Sequence, residues 1–508
     1  MNPLSPLRLT LTAHPILYEV NTRALITRLS RRAGKSISLG DLPDELLDDW
    51  MALGYDAVWM MGIWETGPTG RRIAKSYPGL QDEFKRALPD LTDDDIGGSP
   101  YAVQAYEPAR ALGGYEGVER LRNRLHERGI ALVLDFVCNH TARDHAWVLE
   151  HPEYFIRGAD HDALQHPDQY FSADTKRGKR NIAFGRDPYF PGWTDTAQLD
   201  YHSPETRRAM TDELMRVAEL CDGVRCDMAM LILNDVFAKT WPATTHPDRQ
   251  PEFWSQAIHT VRQRHPAFLF IAEAYWNREW DLQQLGFDYT YDKTLYDRLL
   301  REGAGAVRDH LKAEMEYQRH CLRFIENHDE TAAAAAMPSE SWQFAAAVVA
   351  GTIPGMFLLH DGQLDGNPVK LPVQLIRRAE WAPNPRTQSF YRSLLNTICA
   401  PVFRTGTWLQ MYPRAAWGEN HTWTNFLASW WHDDTNGDRF VIVNYAPLSG
   451  QCYIDIPVDL LSGTIIEFRD VMGRAVYIRE RSGLETKGMF FDLQPYSFHI
   501  FSVFSKNR

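Results

Sequence analysis

Four short segments place carboxylates, imidazoles and a guanidinium directly after apolar runs. They are Asp135-Phe-Val-Cys-Asn139-His140, Gly223-Val-Arg225-Cys-Asp227, Ile271-Ala-Glu273 and Phe324-Ile-Glu-Asn327-His328-Asp329. Glycosidic cleavage with retention needs two carboxyl groups about 5–5.5 Å apart across the sugar. One attacks the anomeric carbon; the other protonates the leaving oxygen, then deprotonates water or an acceptor sugar. Asp227 and Glu273 are the candidates. Arg225 lies two residues before Asp227, so on a strand the two side chains share a face. A permanently charged guanidinium there would keep Asp227 ionised as a nucleophile. Glu273 follows Phe270-Ile271-Ala272, and a desolvated Glu with a raised pKa suits a general acid. A single Asp at a strand end means little, but four charged strand ends in this order read as a site.

Positioning such groups requires strands that end together. Candidate strands are Ile16–Val20, Ala57–Ile63, Ala131–Val137, Gly223–Asp227, Phe268–Glu273, Phe287–Tyr291, Leu322–Asn327 and Met356–His360. Several are continuous apolar runs, as expected of parallel strands buried on both faces. Helical periodicity fills the intervals, for example Glu116–Glu127 and Glu205–Leu220, the latter opened by Ser203 or Pro204-Glu205. Eight strands with intervening helices predict a closed (β/α)₈ barrel, whose functional groups sit at the C-terminal strand ends. The Ala332–Ala336 run predicts a helix packed close to the barrel. His360-Asp361-Gly-Gln-Leu-Asp-Gly366 reads as a turn. The expected division is barrel over 1–140, an inserted subdomain over 141–197, barrel again over 198–404, and an antiparallel β-sandwich over 405–508. The insertion is too long for an ordinary loop. The last part switches to alternating runs such as Arg439–Tyr445, Gln451–Ile456 and Ser497–Val503.

Composition narrows the partners. The chain has 508 residues, 44% of them hydrophobic, so a large core can form. Lys plus Arg is 54 and Asp plus Glu is 66, a net charge of −12. An acidic chain is a poor match for nucleic acid or an anionic membrane surface. Cys138, Cys221, Cys226, Cys321, Cys399 and Cys452 are scattered with no CxxC pair, which predicts free, mostly buried thiols in a reducing compartment. The opening Met-Asn-Pro-Leu-Ser-Pro has no basic and apolar leader pattern, and no run of about 18 apolar residues occurs. The expectation is a cytoplasmic protein.

The ordered motifs resemble those of the α-amylase superfamily, a resemblance that covers essentially the whole chain. Gly98-Ser-Pro-Tyr101 and Gln198-Leu-Asp200-Tyr201 support it. It implies Asp227 as nucleophile, Glu273 as general acid/base, and Asp329 as a ligand of ring hydroxyls that stabilises the transition state. Arg225 would orient Asp227, His140 and His328 would bind hydroxyls of the cleaved sugar, and Tyr101 would stack on it. Asp135 would support the site from behind by bonding Arg225. The substrate implied is a maltooligosaccharide, a dextrin or a related α-glucoside, hydrolysed by double displacement. Transglycosylation, phosphorolysis of a disaccharide and a non-catalytic carbohydrate-binding role are the alternatives. No cofactor is needed for the chemistry; a structural calcium on Asn139 and Asp200 is the metal reading, against hydrogen bonds that anchor the insertion without metal. The sequence departs from the family pattern at Met230 and Leu231, where many members carry Lys-His, and at Gly98, where exo-acting relatives carry Asp. Trp64, Trp193 and Trp276 are candidate sugar platforms.

Overall fold

The computed structural model describes residues 14–242 and 250–506. The N-terminal segment read above for a leader pattern lies outside them. Eight parallel strands close into a barrel in chain order: β1 (Ile16–Asn21), β2 (Ala57–Met61), β3 (Ala131–Val137), β4 (Gly223–Asp227), β5 (Leu269–Ala272), β6 (Tyr289–Tyr291), β7 (Cys321–Arg323) and β8 (Met356–His360). β1 pairs with both β2 and β8, which leaves no open edge. All residues of β2, β3, β4, β5 and β8 are buried. That explains the unbroken apolar runs of β2 and β5 and the mainly apolar ones of β3 and β8: one set of side chains fills the barrel and the alternate set packs under the helices. Leu17, Trp59, Val133, Ile271, Tyr289 and Leu358 belong to the inner set. Ile16, Val58, Leu132, Phe270 and Leu359 belong to the outer one.

Three strands are shorter than their apolar runs. β2 stops at Met61, β5 at Ala272, and β7 at Arg323. Past β7, Asn327 Oδ1 accepts from the backbone N–H groups of Asp329 and Glu330, at 2.9 Å each. This side-chain-closed turn takes the backbone out of the ladder. Glu273 and Asp329 therefore sit on loops just beyond the strands rather than in them.

The helix Pro204–Ala218 opens with Ser203 accepting from Thr206 N and Pro204 in the first turn, as the sequence indicates. The alanine run forms a single turn, Ala333–Ala336, with only Ala333 of the four buried. The helix that packs closely is the next one, Glu340–Thr352, buried from Gln343 onward because it lies between barrel and sandwich. Its Phe344 stacks on Phe390 at 3.9 Å.

Residues after β3 leave the barrel as an antiparallel ribbon, His140–Ala142 against Thr196–Gln198, and carry a three-stranded sheet. The C-terminal part pairs a six-stranded with a three-stranded antiparallel sheet around Phe440, Phe468, Phe491 and Phe501. It is fixed to the barrel by polar as well as apolar contacts. Trp431 Nε1 donates to Thr352 O at 2.7 Å, and Tyr445 OH donates to Leu299 O at 2.7 Å. All six cysteines are free, and Cys399 alone is not fully buried. Among the described residues no helix is long and apolar enough to cross a membrane.

Candidate active site

Parallel register sets the centre of the site. Arg225 of β4 stands opposite Asp135 of β3 and Ile271 of β5, and Cys226 stands opposite Ala272. One step further, Asp227 and Glu273 emerge side by side from neighbouring strands, whose spacing is about 4.8 Å. Arg225 is fully buried, with Nη1 2.7 Å from Asp227 Oδ1 and Nη2 2.8 Å from Glu273 Oε2. Its guanidinium is flanked by the faces of Trp59, Tyr101 and Tyr291, at 5.1, 5.4 and 5.5 Å. Aromatic faces attract a desolvated cation, so the charge is held without a competing water.

Glu273 is 3% exposed. Its Oε2 accepts from Met228 N at 2.6 Å and its Oε1 from Tyr275 OH at 2.8 Å. Met228 adopts a left-handed backbone, φ 44°. A bulky residue there is costly, and the turn it makes aims its N–H at the carboxyl. Desolvation is the main cause that lifts the Glu273 pKa to about 7, opposed by Arg225 and reinforced by Asp227 and Asp329. A general acid must be protonated, and the acid form disappears as pH rises through that value. The expected result is an alkaline limb of kcat/KM centred near pH 7, falling about tenfold per pH unit beyond it. A limb set by an ordinary glutamate, near 4.5, would overturn the assignment; initial rates on an uncharged oligosaccharide measure it.

His328 links the third carboxylate to the barrel. Its Nδ1 lies 2.5 Å from Glu19 Oε1, and its Nε2 lies 2.7 Å from Tyr101 OH and 3.1 Å from Asp329 Oδ2. Burial alone would favour the neutral ring, but Asp329 and Glu19 outweigh it and raise the pKa to about 10. Against the opposing pull of desolvation, this imidazolium holds Asp329 well below the ordinary carboxylate range. The Asp329 side chain remains 45% exposed and opens into the cavity. Tyr101 stacks on the His328 ring at 5.4 Å.

These groups surround a cavity of about 350 Å³ lined by Tyr101, His140, Trp193, Asp227, Glu273 and Asp329, with Met228 and Tyr275 beside them. Arg225 and His328 stand directly behind it. Burial lowers the pKa of His140, which favours a neutral ring. Asp135 departs from expectation. It accepts from Trp59 Nε1 at 3.1 Å and Gly62 N at 2.8 Å. Arg225 gives its hydrogen bonds to Asp227 and Tyr291 instead.

Other sequence readings change with the fold. Trp64 is 2% exposed and donates to Asp135 O at 2.8 Å, so it is a core residue and not a platform. Trp193 lines the cavity. Trp276 is 37% exposed, has φ 62°, and meets Tyr189 of the insertion edge-on at 5.0 Å. Met230 and Leu231 are buried in the short turn after β4 and face the core. Gly98 has φ +85°, and a Cβ there would fall 2.8 Å from Arg71 N; that backbone rules out a larger side chain at this position. Asn139 and Asp200 sit at the root of the insertion. Gln198 Nε2 lies 3.0 Å from Asn139 Oδ1, and Asp200 Oδ1 accepts from His202 N at 3.0 Å. Protein donors already hold these two oxygens, and a calcium ion would have to displace them.

Three residues escape the motif reading. Tyr275 was legible, being two positions after Glu273. Glu19 was also legible, as a carboxylate inside the apolar run of β1. Met228 carried no signal, because its role is played by the backbone.

The model of the α-amylase catalytic domain matches residues 40–363. An α-amylase, MalA, of Haloarcula japonica is 26% identical over 356 residues, covering 68% of this chain and 43% of that protein. An α-1,4-glucan:maltose-1-phosphate maltosyltransferase of Arcanobacterium haemolyticum is 27% identical over 258 residues, covering 48% of this chain and 30% of that one. This chain thus spans less than half the length of either. The crystal structure of a noncanonic maltogenic α-amylase, AmyB, from Thermotoga neapolitana superposes with a TM-score of 0.66 at 20% identity, covering 99% of this chain and 100% of that chain. With the family model spanning well over half of its residues, the barrel closed and the charged strand ends gathered at one mouth, the chain belongs to the α-amylase family.

Proposed function

We propose that this chain is a retaining enzyme acting on α-glucosidic bonds of maltooligosaccharides, dextrins or a related α-glucoside. The observation that carries the reading is one buried guanidinium touching both Asp227 and Glu273 on neighbouring strands. That arrangement gathers two carboxyl groups around one cation, in keeping with the short separation of about 5–5.5 Å that retention requires. Asp227 attacks the anomeric carbon. Glu273, carrying a proton up to about pH 7, gives it to the departing oxygen and takes one back from the incoming hydroxyl. Asp329, anionic beside His328, faces the charge that builds on the sugar ring. Tyr101 offers its face and His140 a ring nitrogen to the bound sugar.

Transfer to a second sugar is the companion reading. The maltosyltransferase likeness favours it, whereas the burial of Met230 and Leu231 leaves no polar side chain at those two positions to hold an acceptor. The test is incubation with maltoheptaose, sucrose and trehalose, with and without phosphate, followed by mass spectrometry of products and NMR of the first anomer released. The α anomer is expected. A β anomer first would refute retention. Products confined to hydrolysis would remove transfer.

A further inference from the structure

Behind the cavity, three oxygens converge on one nitrogen. Gln198 Nε2 lies 2.9 Å from Asn139 O, 3.0 Å from Asn139 Oδ1 and 3.1 Å from Leu199 O. Gln198 Oε1 in turn accepts from Asn139 Nδ2 and from Arg186 N, both at 3.3 Å. The residue is 0% exposed. A carboxamide nitrogen has two hydrogens, fewer than the acceptors around it, so the positive end of one dipole is shared among three oxygens. Backbone carbonyls and a side-chain amide are also what a hard cation gathers, at about 2.3–2.6 Å and with carboxylates among the ligands. Here no carboxylate closes the set. Asp200 accepts from its own turn, and no group of three or more His, Cys, Asp or Glu suited to a metal occurs among the described residues.

We propose that the Gln198 carboxamide stands in the place of a cation at the root of the insertion, and that Gln198 is thereby a positioning residue for His140. The chain of contacts is short. Gln198 pairs with His140 in the ribbon that starts the insertion. It also grips Asn139 by backbone and side chain, and Asn139 Nδ2 lies 3.4 Å from His140 Nδ1. His140 lines the cavity. A neutral amide gives this link without dependence on ion concentration, whereas an ion held by the same oxygens would make the cavity respond to chelators.

The experiment compares the full chain with its Gln198→Asp variant, each dialysed against EDTA and titrated with calcium chloride. Aspartate is one methylene shorter and trades the donor for an anion, which leaves three oxygens and a carboxylate facing a gap. The variant is expected to melt lower in EDTA, to recover with millimolar calcium, and to bind one calcium by calorimetry. Its calcium-free loss in kcat/KM should fall on KM more than on kcat, because His140 holds sugar in the reading above. The wild type is expected to show no melting shift and no calcium binding at this position. A wild-type calcium response that disappears in Asn139→Leu overturns the proposal. So does a folded Gln198→Asp chain that ignores calcium. If that variant does not fold, the wild-type titration decides alone. Melting and calorimetry need no turnover, so they stand apart from the carboxyl roles proposed above.

Discussion

Glu273→Gln is expected to lower kcat on maltoheptaose by about 10²–10⁴-fold, the range that a positioned proton donor supplies. The change is nearly isosteric, so the cavity keeps its shape. Its chemistry changes in two ways. The amide has no proton acidic enough to release to a departing glycosidic oxygen. It also has one acceptor oxygen where the carboxyl has two, while Met228 N and Tyr275 OH both donate there. Met228 N keeps the amide oxygen, and the Tyr275 hydroxyl must turn to accept from the amide N–H. The loss in rate should shrink with a substrate whose leaving group departs without protonation, such as a glycosyl fluoride, because bond cleavage then needs only Asp227. Oligosaccharide binding, followed by calorimetry, should stay within a few fold of wild type. Activity on maltoheptaose close to the wild-type value would remove Glu273 from the mechanism, and the pH argument with it.

Arg225→Met is expected to cost about 3–5 kcal/mol of folding stability at neutral pH, because it strands buried carboxylates without their counter-charge. Asp227 and Glu273 are 6% and 3% exposed, and Arg225 touches both. The loss should depend on pH with a definite sign. Arg225 pulls the Glu273 pKa down against desolvation, which still leaves it at about 7 rather than 4.5. Without Arg225 it rises further. A carboxyl with a raised folded-state pKa keeps its full stability only below its unfolded value, and loses it as pH climbs through the folded one. Between pH 4.5 and 7 both proteins lose this contribution in parallel, so Glu273's share of the deficit should be near zero at pH 5, open above pH 7, and be complete only above the variant's own, higher value. Urea midpoints at pH 5 and pH 8 measure this. Equal deficits at the two pH values would mean that the guanidinium acts by packing against Trp59, Tyr101 and Tyr291 rather than by charge. Lysine would be a poor rescue, since a point charge cannot fork to two carboxyl groups.

The sequence was most readable where burial is complete. β2, β3, β5 and β8 stand out as largely apolar runs because both of their faces are covered, and their order in the chain is their order around the barrel. β6 and β7 were harder. Each forms only three ladder residues, and the apolar residues that follow β7, Phe324 and Ile325, are buried outside the ladder by loop packing. Hydrophobicity reports burial, not hydrogen-bond pairing, so strand ends blur wherever a loop is buried too. Trp64 illustrates the same limit for side chains. Its place after β2 suggests a loop at the mouth, but the loop folds back as a ribbon with Val103–Pro108 and takes the indole into the core.

For the candidate site, the sequence by itself determined which groups are present and on which strand ends they emerge. Parity along β4 places Arg225 and Asp227 on one face, and the apolar run before Glu273 foretells its desolvation. Only the tertiary structure decided what each group touches. Arg225 and Asp135 are opposite in register, yet Arg225 turns toward Asp227 and Glu273, leaving Asp135 to Trp59 and Gly62. His328 carries its charge because Asp329 beside it and Glu19, some three hundred residues earlier and across the closure of the barrel, both face it. At the root of the insertion, Asn139 and Asp200 read as metal ligands in one dimension, whereas in the fold Asn139 accepts from Gln198 and Asp200 from its own turn. The physical reason is common to all three. Residue type and periodicity fix a side chain's chemistry and face, whereas charge state and partner depend on distances of a few ångströms between segments far apart in the chain.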